Sequence, residues 1–269
     1  MSSDIEFKRV ASRQNPFLKS LRSRAREAGR AGAPVWLEGV HLCQEYLARV
    51  GLPAQAIFAA PMPEQGSAEL RALWRACAQA PRVVLEAGLL DTVSDVAGAQ
   101  GVGFLIELPA AAHGDAVDGD CVVLDRVQDP GNVGSILRTC AAAGVAQVLL
   151  TEGSAAVWSG KVLRAAQGAH FSLRLLEGLD REAVLARVRA PLAATTLDGG
   201  ASLYAQDLTA PVAWCFGHEG QGVDPGLLAA AALRVFVPQV AAVESLNVAA
   251  AAAVCLFEQR RQRLARAAA

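Results

Sequence analysis

Three short stretches of this sequence set polar side chains and glycines directly behind apolar runs, and they hold the residues whose types could do chemistry. The first is DPGN, Asp129 to Asn132, with Arg138 six residues further on. An amide that both donates and accepts, near a guanidinium that stays charged in water, can hold a polar or anionic ligand group in register. The second is GHEGQG, in which Glu219 supplies a carboxylate while Gly217, Gly220 and Gly222 let backbone come close to a flat ligand. The third is Ser245, Leu246 and Asn247 at the head of a long helical pattern, where unpaired N–H groups and the helix dipole favour a phosphate. Each stretch also has a plain structural reading. Asn132 and Ser245 would serve as helix caps, and Glu219 would order its loop by accepting backbone N–H bonds.

The surrounding pattern supplies the elements that must carry these groups. Cys121 to Leu124 is a short, β-branched apolar run, and Ser135 to Ala143 has a helical period closed by Gly144, so the first stretch reads as strand, turn and helix. Beyond it strands fall near 121–125, 147–151, 171–176, 191–197, 211–216 and 234–238, and helices near 133–143, 159–168, 180–189, 224–232 and 244–266. Apolar strands alternating with helices predict an α/β fold with a mostly parallel sheet covered on both faces. Ligand crevices of such sheets open at the carboxyl ends of strands, where all three stretches fall. An alanine run at 249–253 suits close packing of the last helix.

Ahead of this region a basic helix over 12–31 begins at Asn15-Pro16 and carries a narrow apolar stripe, Leu18 and Leu21. Strands over 34–37, 54–60, 82–85 and 102–108, with helices over 40–50 and 67–79, predict a smaller α/β domain. The domain plan is therefore 1–110, a linker of small residues at 111–120, and a larger domain at 121–269.

A chain that is 53% hydrophobic and 19% charged has well-filled cores and not the composition of a disordered segment. No apolar run reaches the length of a membrane span, and the basic, polar first 30 residues have no signal-peptide pattern, so a cytoplasmic protein is expected. The six cysteines lack CxxC spacing and the four histidines form no cluster, which argues against a metal site or a disulfide framework. Although net charge is only −1, the first 30 residues and the last ten are rich in Lys and Arg, as a phosphate-tracking surface would be. The glycine order GxxGxG is not the GxGxxG of dinucleotide-binding folds, which disfavours a nicotinamide enzyme.

In their order and spacing the three stretches resemble the motifs of the SpoU (TrmH) family of RNA ribose 2′-O-methyltransferases. The first domain, with NPFLKSLRS, WLEG and the GAQGV around Gly101, resembles the RNA substrate-binding domain of that family's ribosomal-RNA branch. The resemblance implies a catalytic domain with a deep trefoil knot, a homodimer, S-adenosylmethionine as methyl donor, and ribosomal RNA in preference to transfer RNA as substrate. It also implies an active-site set of Asn132, Arg138, Glu219, Ser245 and Asn247, with Arg138 assigned to proton removal. Donor contacts would come from Gly217, Val237 and Leu246, largely through backbone, with Thr195 and Leu197 at an adjacent strand end. Lys19, Arg22, Arg24 and Arg26 of the basic helix would meet RNA. His218 stands where many relatives have Asn, Ser or Ala, which leaves the donor loop intact and sets a side chain of the pH-sensitive type beside it. Still open are phosphate anchoring alone for Arg138, a transfer-RNA substrate, and a non-catalytic RNA-binding protein of the same fold.

Overall fold

The computed structural model describes residues 7–26, 34–61, 63–93, 100–108, 116–197, 199–240 and 245–268. It divides into two units, residues 1–110 with Trp158–Phe171, and residues 111–157 with 172–269. The first unit contains, in chain order, β1 (Lys8–Val10), α1 (Pro16–Arg26), β2 (Val35–Glu38), α2 (Val40–Arg49), β3 (Gln55–Ala59), α3 (Ala68–Ala76), β4 (Arg82–Leu85) and β5 (Val102–Ile106). Its sheet order is β1-β4-β3-β5-β2, with β4 parallel to β1 and β3, and β5 antiparallel to β2 and β3. β1 was not expected, because its Lys8 and Arg9 are exposed on a three-residue edge strand and hide the apolar signal.

Helix α1 starts at Pro16 and not at residue 12. Ser12 to Asn15 close a turn of their own, after which Asn15 Oδ1 accepts the Phe17 N–H at 2.9 Å. The predicted stripe, Leu18 and Leu21, is buried. At Gly103 a Cβ would lie about 2.1 Å from the Trp36 ring, so glycine lets the indole lie flat over β5. The predicted continuation of α1 to residue 31, the first two residues of GAQGV, and 111–115 of the predicted linker lie outside the described residues.

The second unit starts inside the predicted linker: Val117 is buried and bridges to Val188. Its elements are β6 (Cys121–Leu124), α4 (Pro130–Ala143), β7 (Gln147–Thr151), β8 (Arg174–Leu179), α6 (Arg181–Arg187), β9 (Leu192–Thr195), β10 (Ala201–Ser202), β11 (Ala213–Phe216), α7 (Pro225–Ala230), β12 (Leu233–Phe236) and α8 (Val248–Ala267), with α5 (Gly160–Ala166) lying in the β7–β8 connection. All neighbours in the order β10-β12-β9-β11-β6-β7-β8 are parallel, as the buried apolar strands predict. β10 is too short for periodicity to reveal. Because β12, β9, β11 and β6 are adjacent and parallel, their carboxyl ends share one edge of the sheet. α8 packs against α4.

The segment Trp158–Phe171, expected within the larger domain, packs instead with the first unit. Leu163 is buried in that unit's core, and Phe171 meets Tyr46 edge-on at 5.4 Å. Its helical period was legible, but which core it would join was not. All six cysteines are free and buried. Among the described residues no helix is long and apolar enough to cross a membrane.

Candidate active site

A cavity of about 650 Å³ lies beside the ends of β9, β11 and β12. Strand order explains it: β9 runs between β11 and β12, so the loops leaving all three strands face one another. Thr195, Leu197, Gly217, Val237 and Leu246, the five residues expected to hold a donor, all line this cavity, as do Glu219, Ser245 and Asn247. Thr195 Oγ1 donates to the Cys215 carbonyl at 3.2 Å, tying the end of β9 to β11. Leu197 is 61% exposed and Leu246 39%, so the mouth presents apolar side chains that a flat ring can cover.

Asn132, from the first turn of α4, does not line the cavity but joins its parts through a directional relay of hydrogen bonds. Asn247 Oδ1 accepts the N–H groups of Ala249 and Ala250 at the start of α8, which fixes the orientation of its amide. Its Nδ2 then donates to Asn132 Oδ1 at 2.9 Å, and Asn132 Nδ2 donates to Glu219 at 3.0 Å. Glu219 also accepts the N–H groups of Gln128 and Asp129, both at 3.4 Å. Partial burial raises the Glu219 carboxyl, but the Asn132 amide and the backbone donors outweigh it and hold the group below its ordinary value. Polarity runs one way through the chain, from helix N–H groups to an ionised carboxylate, with both amides fully oriented.

Two caps differ from expectation. Asp129, and not Asn132, caps α4, its carboxylate accepting the Asn132 N–H at 2.9 Å with Pro130 at the first helical position. Asn247, and not Ser245, caps α8. Capping by Asp129 leaves the Asn132 side chain free to reach Glu219, whereas Asn247 caps α8 through Oδ1 and meets Asn132 through Nδ2.

The GHEGQG turn is closed by the pair His218 N–H to Gly222 O and Gly222 N–H to His218 O, at 3.1 and 2.8 Å. A Cβ on Gly217 would sit 2.2 Å from the Gly222 and Val223 backbone, so only glycine permits this closure. The His218 ring supports the turn from within: Nδ1 accepts the N–H groups of Gly220 and Gln221 at 2.9 and 3.2 Å. Just past β6, Arg126 donates to the Gln221 side chain and the Gly222 carbonyl and pairs with Asp125. Buried Asp125 in turn accepts the Asp224 N–H at 2.6 Å and the Thr151 hydroxyl at 3.2 Å. Sequence reading missed Asp125 and Arg126. An acid directly behind a four-residue apolar strand was a visible signal for Asp125, whereas the left-handed φ of 56° at Arg126 had none.

Arg138 stands apart from this cluster. It is exposed, about 9 Å along α4 from Asn132 at 1.5 Å per residue, and is not among the lining residues. On α1, Lys19 and Arg24 are exposed, while the Arg22 guanidinium donates to Thr92 through both Nε and Nη2 and braces the helix. The Arg26 side chain lies outside the described residues.

The described lining contains neither Lys nor Arg, and Glu219 is its only carboxylate. Such a site lacks the cationic partners that a polyphosphate cofactor needs, and suits a donor whose charge is a sulfonium and whose ring is flat.

Comparison with known proteins bears on this geometry. The SpoU rRNA Methylase family model matches residues 120–257. An uncharacterised tRNA/rRNA methyltransferase of Synechocystis is 33% identical over 98% of this chain and 97% of its own length. The Bacillus subtilis 23S rRNA (guanosine(2553)-2′-O)-methyltransferase RlmP is 39% identical over 52% of this chain and 57% of its own. The crystal structure of an AdoMet-bound rRNA methyltransferase from Sinorhizobium meliloti superposes with a TM-score of 0.78 at 26% identity, covering 95% of this chain and 98% of that one. The second unit thus has the α/β fold of these enzymes, which carry a trefoil knot. With the model matching about half the chain and a full-length relative at 33% identity, this chain belongs to the SpoU rRNA methylase family.

Proposed function

We propose that this chain uses S-adenosylmethionine to methylate a ribose 2′-hydroxyl of ribosomal RNA. The carrying observation is the relay Asn247–Asn132–Glu219, which locks three motif loops together beside a cavity whose described lining holds neither Lys nor Arg. When bound, S-adenosylmethionine supplies an activated methyl group, so the protein's task is alignment, which in favourable cases is worth about 7–11 kcal/mol. Gly217, Val237 and Leu246 would hold the donor with Thr195 and Leu197 at its edge, and the exposed leucines exclude water from the transfer. Glu219 is engaged by three donors and orders the loops, which leaves it poorly placed to act as a base. Ser245, exposed at the cavity, is free to meet the ribose.

Arginine keeps its proton to pH values above about 12, so Arg138 would anchor an RNA phosphate and let the hydroxyl proton leave through water. As the resemblance implies, we infer a homodimer in the cytoplasm, in which Arg138 on α4 would serve a cavity other than the one it lies outside. The first unit, with Lys19 and Arg24 exposed on α1, would grip the RNA backbone.

Calorimetric titration with S-adenosylmethionine, followed by transfer of labelled methyl groups to ribosomal and transfer RNA, tests the reading. Saturable donor binding with label on ribosomal RNA, at a ribose resistant to alkaline hydrolysis, is expected. Donor binding without transfer to either RNA would leave a non-catalytic RNA-binding protein, and label on transfer RNA alone would move the substrate.

A further inference from the structure

His218 lines the cavity, yet none of the chemistry above uses it. Its ring does the work that an Asn or Ser side chain does in tight turns, accepting the N–H two residues on, and here it accepts a second N–H as well. An imidazole can do this only with Nδ1 unprotonated, which assigns the remaining proton to Nε2. An amide or hydroxyl oxygen keeps its acceptor at any physiological pH. A histidine loses it when it takes up a proton, and then presents N–H to N–H.

We propose that His218 is a positioning residue whose neutral imidazole holds the GHEGQG turn closed, so that the cavity loses affinity for S-adenosylmethionine as the solution is acidified. The inference rests on the donor-pocket reading above. Among the described residues the other charged groups near the turn are already engaged. Glu219 is held by Asn132 and two backbone N–H groups, and Arg126 and Asp125 pair with each other. Asp224 caps α7 and meets Arg181 of α6, and Arg234 of β12 donates to the Leu228 carbonyl. Residues of β9 and of the start of α8 that line the cavity carry no charge. Protonation therefore strikes the turn at His218, and the open turn is the form that binds the proton, so acid favours opening.

The test compares the parent chain with His218→Asn and His218→Ala. Two neutral hydrogen bonds of ordinary net worth correspond to about a tenfold change in binding. Calorimetric affinity for S-adenosylmethionine in the parent should therefore fall several-fold, up to about tenfold, between about pH 8 and about pH 5.5, the limit that proton linkage to one ordinary imidazole sets over that span. His218→Asn should give an affinity independent of pH over that range, and His218→Ala weaker binding at both ends. Nitrogen NMR of the ligand-free parent at about pH 8, assigned by the resonances lost in His218→Asn, should show the Nε2–H tautomer. A His218→Asn chain that keeps the parent's pH dependence, a parent whose affinity does not change, or an Nδ1–H tautomer would overturn the proposal. Failure of the parent to bind the donor at any pH, with the tautomer as expected, would overturn the donor-pocket reading and the proposal with it.

Discussion

Asn132 and Asn247 share one hydrogen bond, and a double-mutant cycle on the pair tests the relay directly. Asn247→Ala removes the cap of α8, at about 1 kcal/mol, together with the bond to Asn132, whose net worth is about 0.5–1.5 kcal/mol. The sum is about 2 kcal/mol. Asn132→Ala removes the same shared bond and the donor to Glu219, which is discounted for exposure to about 1 kcal/mol. Since both single changes break the 2.9 Å bond between the two amides, the double variant should lose less than the sum, with a coupling of about 0.5–1.5 kcal/mol. Hydrogen exchange of the protected α8 amides reads these values in the second unit alone. Asn247→Asp separates cap from relay, because it keeps an acceptor for the Ala249 and Ala250 N–H groups but sets a carboxylate against Asn132 Oδ1. If Asn132 turns its amide to meet it, Asn132 Oδ1 faces Glu219 instead. That variant should keep stability within about 1 kcal/mol while methyl transfer drops by about a hundredfold, the scale of a 1 Å misplacement. Additivity of the two alanine changes to within about 0.3 kcal/mol, or full turnover by Asn247→Asp, would refute the relay.

Three further outcomes are expected. Arg138→Ala should leave folding and donor binding nearly intact, because the side chain is exposed and outside the cavity, yet lower turnover by about ten- to a hundredfold, the scale of one lost charge-assisted phosphate contact; steady-state and titration data side by side check both halves. Burial raises the Asp120 carboxyl, but the Arg263 guanidinium, the Val212 N–H and Gln259 outweigh it and hold it low, so its contribution is present above the unfolded carboxyl range, near about pH 4, and is lost as pH falls through the depressed value. Urea midpoints measured between neutral and acid pH should accordingly fall more steeply for the parent than for Asp120→Asn. Replacing Lys19 and Arg24 together with Ala should flatten the salt dependence of RNA affinity by about 0.7 per lost phosphate contact on single strands, whereas Arg22→Ala should act mainly through stability, since its guanidinium braces Thr92.

Period and punctuation in the sequence were enough to place most elements. β-branched apolar runs ending in polar clusters marked β6, β11 and β12, and the carboxyl-end rule then put DPGN, GHEGQG and SLN on one edge of a parallel sheet. Those signals are local, carried by a few consecutive residues whose alternation or burial is the same in any fold. Resemblance added the donor and the knot, which the general rarity of threaded chains would have excluded. What only tertiary structure decided is which distant groups meet. Nothing local tells that Asn247 caps α8 and thereby aims its amide at Asn132, 115 residues away in sequence, or that Trp158–Phe171 leaves its own sheet to pack with Tyr46. The left-handed backbone at Arg126 and the commitment of the His218 ring to Gly220 and Gln221 belong to the same class. A hydrogen bond's direction depends on what else its donor and acceptor touch, and in this protein those partners are delivered by strand order rather than by neighbours in the chain.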